Sequence, residues 1–231
     1  MVNPIFTSYQ QSDLLGKIIF LLLFAASVTT WTFFIKKWLQ IKDIRKEGIS
    51  LKTLLSKKLL NPMQIDDKKR QTIFYSLFSA LQTSAHRYFQ KNSFNDEGKE
   101  RSFLETKDLA EIESELLLNA SEKVKHIEKN MFILSTIVTL APFLGLLGTV
   151  WGILITFLDL QTHHGHRAES AMMGGLAMAL ATTVVGLIVA IPALVSYNYL
   201  KSQLSLLRHE IHGFSQTLIH NLGHFYCRAE R

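Results

Sequence analysis

The sequence contains almost no cysteine, and Cys227 is the only one among 231 residues. A single thiol forms no internal disulfide, which excludes a small secreted domain held together by cystine bridges. The sequence also lacks zinc-finger spacings, a phosphate-binding loop, a Ser-His-Asp arrangement and a pair of catalytic carboxylates. We therefore expect neither an enzyme nor a nucleic-acid-binding protein, and no cofactor.

Charge is missing from three long stretches, since residues 18–35, 130–158 and 170–200 contain no Asp, Glu, Lys or Arg. A helix needs about 20 apolar residues to cross a hydrocarbon core about 30 Å thick. The sequence therefore predicts an all-α membrane protein with three transmembrane helices. The first span ends in aromatic and lysine residues, Trp31 to Trp38, rather than at a small-residue cleavage site. We interpret it as a retained anchor and not as a signal peptide.

The basic residues predict the orientation of the chain, because basic loops resist translocation. Most of the 25 Lys and Arg residues lie between Lys36 and Lys129 or after the third span, and only Lys17 and Arg167 lie elsewhere. The long loop and the C-terminus are therefore expected to be cytoplasmic, and the N-terminus to face outward. The predicted segments are residues 1–13 (outward-facing), 14–35 (first span), 36–130 (cytoplasmic helical domain), 131–158 (second span), 159–170 (outward-facing loop), 171–199 (third span) and 200–231 (cytoplasmic helical tail).

The cytoplasmic regions carry apolar residues at helical spacing and are expected to be mostly helical. One such series covers residues 73–89, and a second covers residues 109–127 and runs without Gly or Pro into span two. A third continues span three over residues 200–225. Spans two and three are therefore predicted to extend as long helices into the cytoplasm. Clusters of Asn, Gly, Pro and Ser predict turns at residues 48–62 and 92–98.

Spans two and three both carry small residues at steps of three and four, which let helices approach closely. Each span also contains a proline, which removes one helix hydrogen bond at membrane depth. The residues that we select for helix packing and pore lining are Pro142, Gly145, Gly148 and Gly152 in span two and Ala179, Gly186, Ala190 and Pro192 in span three. Glycines of this kind also pack ordinary helical bundles. A threonine hydroxyl in such a span is equally able to bond the carbonyl one turn back, without any pore.

Two motifs resemble the TolQ, ExbB and MotA group of proton-channel subunits, and most closely its TolQ branch. The first is Pro-x-x-Gly-Leu-x-Gly-Thr-Val-Trp-Gly-Ile at residues 142–153. The second begins with Gly175-Leu176-Ala177 and continues to Tyr197-Asn198. Weaker similarity occurs at residues 26–31 and 73–76. This resemblance covers nearly the whole chain, and the chain length and number of spans agree with it.

The resemblance implies a homo-oligomer, a pentamer, around the helices of a TolR- or ExbD-like single-span partner in the bacterial inner membrane. The outward-facing segments are then periplasmic. In that family the threonines at the positions of Thr149 and Thr183 line the proton path, and Thr182 adds a hydroxyl beside it. Proton flow drives movement that a TolA- or TonB-like protein passes to the outer membrane.

One position departs from the family pattern, because Met178 stands where TolQ and ExbB carry a glutamate. No span then has an ionisable residue in its interior, and a threonine hydroxyl is too weak an acid to hold a charge at physiological pH. We therefore expect an intramembrane Asp on the partner helix to carry the proton. The expectation of proton rather than sodium transport comes from the resemblance.

Three alternatives and one further candidate site stay open at this stage. An ExbB-like role in TonB-dependent import is the nearest alternative to a TolQ-like role in the Tol-Pal system and outer-membrane maintenance. A non-conducting membrane scaffold is a second, and a flagellar stator is less consistent with three spans. His163, His164 and His166 lie in the outward-facing loop. Such histidines are typical solvated loop residues, and we predict no metal site there.

Overall fold

The computed structural model describes residue 9 and residues 13–57, 73–95, 104–162 and 166–227 of the chain. Within these ranges the chain is helical and contains no strand, only an isolated bridge between Leu104 and Cys227. The five helices are α1 (Leu14–Lys57), α2 (Ile73–Asn95), α3 (Thr106–Glu128), α4 (Met131–Thr162) and α5 (His166–Tyr226). Three helical stretches are long and apolar enough to cross a membrane, which confirms the predicted all-α fold with three spans.

The described helices form two compact units. The first unit comprises Met1–Lys37 and Asn130–Lys201, and the second comprises Trp38–Lys129 and Ser202–Arg231. Helices α1 and α5 contribute residues to both units, α4 belongs to the first, and α2 and α3 belong to the second. The first unit holds the three charge-free stretches, and the second holds most of the charged residues.

In the first unit, α1 packs against α4 and α5 through a small apolar core. Ile19 and Leu23 of α1 are buried there with Ala141 of α4 and with Val189 and Ala190 of α5. The opposite faces of the helices are equally apolar but exposed; for example, Phe143 and Leu180 are 66% and 67% exposed. A surface as apolar as the core is incompatible with water and fits a hydrocarbon solvent.

The second unit buries the apolar stripes that helical spacing predicts. The buried residues are Phe74, Leu77, Phe78, Leu81, Ala85, Tyr88 and Phe89 of α2, Ile112, Leu116, Ala120, Val124 and Ile127 of α3, and Leu204, Leu207, Ile211, Phe214, Leu218 and Leu222 of α5. Phe225, the last residue of the third predicted series, is 40% exposed instead. The stripe ends there because α5 itself ends at Tyr226.

Polar side chains of α2 and α3 pair along the rim of that core. Ser84 and Tyr88 of α2 donate hydrogen bonds to Glu115 and Glu111 of α3, at 2.5 and 2.6 Å. The hydrogen bond to Glu111, together with burial, raises the pKa of Tyr88 to about 12. Asp108 accepts hydrogen bonds from the Asn92 side chain and from the backbone N–H of Glu105, which fixes the start of α3.

The turn predicted over residues 48–62 is wrong for its first ten residues, because α1 continues to Lys57. Gly48 is buried inside this helix, and a Cβ added to it would lie 2.5 Å from a ring carbon of Phe74. The glycine therefore permits close packing rather than a turn. Similarly, α2 continues through residue 92 to Asn95. The remaining residues of both predicted turns lie outside the described ranges.

The predicted extension of span two exists as α3, but it is a separate helix. Lys129 and Asn130 form a turn between α3 and α4, and Asn130 has a φ of 71°. Asparagine is among the residues that tolerate this left-handed conformation at a helix end. The extension of span three is unbroken, since α5 runs for 61 residues.

Candidate functional site

Helices α4 and α5 approach one another at their glycines. A Cβ added to Gly145 would lie 3.1 Å from the Cα atom of Thr183, and one added to Gly186 would lie 2.8 Å from the carbonyl oxygen of Ala141. Both glycines therefore face the backbone of the other helix and not a side chain. Only a residue without a side chain permits helix backbones to come this close.

Two threonines dock on glycines across the same interface. Thr182 of α5 lies against Gly148 of α4, where an added Cβ would come within 2.6 Å of the Thr182 Cβ. Thr156 of α4 lies against Gly175 of α5, and a Cβ at that glycine would collide with the Thr156 hydroxyl. Each helix thus supplies one threonine and one glycine, which fixes the register of α4 and α5.

Of the three threonines that the sequence analysis selected, Thr182 and Thr183 contact α4, and Thr149 directly follows Gly148 in α4. Thr149 donates to the carbonyl of Leu146 at 2.6 Å, and Thr182 donates to the carbonyl of Ala179 at 2.7 Å. Both bonds stay within one helix. Thr183 instead donates across the interface to the carbonyl of Gly145 at 3.0 Å. Thr182 is fully buried, whereas Thr149 and Thr183 are partly exposed.

The small residues and prolines of the sequence analysis occupy three kinds of position. Gly145, Gly148, Gly152 and Gly186 are buried between α4 and α5, as is Ala179, whose Cβ would lie 2.9 Å from a Cβ added to Gly152. Ala190 belongs to the core that α1 shares with α4 and α5. Pro142 and Pro192 are half-buried within their helices. These four glycines therefore pack helices, and of the three selected threonines Thr149 and Thr183 are partly exposed.

Met178 is 5% exposed, so its side chain is buried within the first unit. The carboxylate that contacts the span-two motif is Asp13, at the start of α1. Its Oδ2 accepts a hydrogen bond from the indole N–H of Trp151 at 2.7 Å, and its Oδ1 accepts one from the backbone N–H of Gly16 at 3.0 Å. The sequence analysis missed this contact. An Asp directly before an apolar run is a helix-start signal, but nothing in the sequence pairs it with Trp151.

The described residues do not show whether the three loop histidines form a metal-binding site. His163 and His164 lie outside the described residues, and of His166 only its place at the start of α5 is known. Among the residues that the structure does describe, no group of three or more His, Cys, Asp or Glu side chains is arranged to hold a metal ion.

Comparisons with known proteins match both motifs. The sequence profile of the MotA/TolQ/ExbB proton channel family matches residues 82–212, more than half of the chain. The biopolymer transport protein ExbB of Pseudomonas putida is 31% identical over 82% of this chain, and that of Salmonella typhimurium is 30% identical over 85% of it. These alignments cover 54% and 77% of the two relatives, so the chain spans about half the length of the Pseudomonas protein. The ExbB of Aquifex aeolicus is 37% identical over 56% of this chain and 74% of its own.

Proposed function

Because the chain belongs to the MotA/TolQ/ExbB proton channel family, we propose that it is a proton-channel subunit of a motor complex in the bacterial inner membrane. Several copies, five by the family resemblance, surround the transmembrane helix of a partner protein. The N-terminus and the 159–170 loop face the periplasm, and the second unit lies in the cytoplasm.

The observation that carries this proposal is the uncharged, hydroxyl-bearing interface of α4 and α5. Thr183 connects the two helices through its bond to Gly145, and Thr149, four residues after Gly145 in α4, is partly exposed. These hydroxyls relay protons or hold water, but they do not store charge at physiological pH. With Met178 at the family's glutamate position, no span has an Asp, Glu, His, Lys or Arg in its interior. The proton carrier is therefore a carboxylate on the partner, an Asp within a TolR- or ExbD-like single span.

Burial controls the charge of that carboxylate. An ionised acid costs several kcal/mol in hydrocarbon, so the Asp is protonated where it faces the apolar helices and ionises where it meets hydrated threonines. The membrane potential supplies the direction, since one charge crossing 100 mV releases about 2.3 kcal/mol. The carboxylate exchanges protons with the periplasm at one position of the partner helix and with the cytoplasm at another. This difference converts the released free energy into movement of the partner.

Two branches of the family differ in what that movement serves. The relatives named ExbB support an ExbB-like role, with an ExbD-like partner and a TonB-like protein in import. The motif pattern supports a TolQ-like role, with TolR- and TolA-like partners in outer-membrane maintenance. Co-expression with one partner of each kind separates them, because only the cognate partner copurifies with the chain and yields proton flux.

The proposal is tested by replacing Thr149 and Thr183 with valine, singly and together. Each substitution removes one hydroxyl whose only described partner is a backbone carbonyl, so folding loses about 1 kcal/mol and assembly persists. Proton flux into vesicles containing the chain and its partner should fall about tenfold or more. Thr29→Val is the matched control, since Thr29 donates to the Ala25 carbonyl at 2.7 Å within α1 and belongs to neither α4 nor α5. Normal flux in the double valine variant would remove these threonines from the proton path, and absence of flux from the unsubstituted chain with its partner would indicate a non-conducting scaffold.

A further inference from the structure

One side of α4 carries hydroxyls at the edge of its exposed surface, where Thr139 is exposed and Ser135 and Thr149 are partly exposed. Ser135, Thr139, Pro142 and Thr149 recur at steps of four, three and seven residues, which places them on one side of the helix. We call these four residues the hydroxyl stripe. Ser135 donates to the carbonyl of Phe132 at 3.0 Å, and Thr139 donates to that of Thr136 at 2.9 Å, and both bonds are solvent-exposed. At 1.5 Å per residue the stripe is about 21 Å long, most of the thickness of a hydrocarbon core.

Hydroxyls bonded to their own helix are tolerated in lipid, so they do not by themselves require water. Pro142 adds a different requirement. It has no N–H, so the carbonyl of Val138, which directly precedes Thr139, loses its helical donor. A carbonyl without a donor is costly in hydrocarbon and is tolerated where it faces water or protein.

The corresponding position of α5 lacks this combination. Pro192 removes the helical donor of the Ile188 carbonyl in the same way. However, residues 184–191 include no Ser, Thr or Tyr, and Ile188 and Ile191 are exposed beside that carbonyl. Over the eight residues before each proline, α4 therefore combines a freed carbonyl with exposed hydroxyls and α5 does not.

We propose that the hydroxyl stripe lines the water-filled half of the proton path, from Thr149 and Thr183 to the cytoplasmic surface. Ser135 and Thr139 are thus further residues of the pathway, beyond the family threonines. A carboxylate that has crossed the dry part releases its proton at Thr149, and the proton reaches the cytoplasm through water along the stripe. This inference rests on the proposed function.

The first test measures hydration with cysteines, and the chain suits it because Cys227 is its only native thiol. Ser135→Cys and Thr139→Cys are made in a Cys227→Ser background. Each variant is then assembled with the partner in inverted membrane vesicles. Thr136→Cys is the matched control: Thr136 is exposed and also bonds Phe132, but it lies about 100° around the helix from Ser135. Thiols react as thiolates, which form in water and not in lipid.

A charged, membrane-impermeant thiol reagent should therefore label the two stripe cysteines about tenfold faster than Thr136→Cys. Equal rates at all three positions, or faster labelling of Thr136→Cys, would overturn the proposal.

The second test measures proton flux in the same complex. The double variant Ser135→Ala and Thr139→Val should lower flux several-fold, and Thr136→Val should leave it unchanged. If Thr149→Val abolishes flux while the stripe double variant conducts normally, the stripe is not the path and the proposed function stands. If Thr149→Val and Thr183→Val also conduct normally, the threonine pathway fails together with the stripe, and if the unsubstituted complex conducts no protons, the proposed function itself fails.

Discussion

At the scale of the residue, the contact between Thr182 and Gly148 explains why α4 and α5 adopt a single register. Thr182 is fully buried, and its methyl and hydroxyl groups fill the space that a side chain at position 148 would need. Its hydroxyl is already bonded to Ala179 within α5. Thr182 therefore contributes to packing, whereas Thr183, one residue further, bonds across the interface.

Gly148→Ala should destabilise the first unit by about 1–3 kcal/mol, because its Cβ has no room beside Thr182. Thr182→Gly alone should also destabilise the unit, because it removes a fully buried side chain and lowers helix propensity by a few tenths of a kcal/mol. The double variant moves the glycine from one helix to the other and should be more stable than Gly148→Ala. Thermal unfolding of the purified protein in detergent measures all three, and strictly additive losses would contradict the direct contact.

The sequence identified Thr149, Thr182 and Thr183 but did not distinguish their environments. Adjacent threonines point about 100° apart on a helix, and which one faces the neighbouring helix depends on how the two helices cross. The same reason hid the bond between Asp13 and Trp151, which joins residues 138 positions apart. Spacing within a chain carries no information about such a contact.

At the scale of the element, helix boundaries follow the side chains that pack, and glycine alone does not reveal them. Apolar spacing identified α2, α3 and the part of α5 that follows residue 200, because these helices bury one face each. Gly48 was misread as a turn signal, although Phe74 fills the space above it. The break at Asn130 was missed because no Gly or Pro marks it.

Two helical glycines of the second unit should respond oppositely to alanine. A Cβ added to Gly213 would meet nothing within 4 Å, so Gly213→Ala should stabilise α5 by about 0.5–1 kcal/mol through helix propensity. Gly48→Ala should destabilise the unit, since the Phe74 ring in its way is itself buried and packs edge-on against Phe214. Unfolding temperatures of the two variants decide this, and a rise for both would contradict the packing at Gly48.

At the scale of the whole molecule, the distribution of charge predicted the division into an apolar and a polar unit. Three charge-free stretches predicted the helices that are long enough to span a membrane. The charge distribution does not predict how subunits contact one another in a ring, because exposed apolar faces such as that of Phe143 and Leu180 fit both lipid and a neighbouring copy. A single sequence therefore predicts the subunit in more detail than the assembly.

The chain alone should conduct few protons, because its spans contain no group that titrates near neutral pH. Vesicles containing only this protein should show flux about tenfold or more below vesicles that also contain the partner. A partner variant with its intramembrane Asp changed to Asn is the control, and it should conduct no better than the chain alone. Full flux from the chain without a partner would contradict an external proton carrier.

The paired docking of threonine on glycine also limits how this protein diverges over generations. A larger residue at position 148 is tolerated only when position 182 shrinks, and positions 175 and 156 are tied in the same way. Substitutions in either pair should therefore occur together, so related sequences should show covariation between positions 148 and 182.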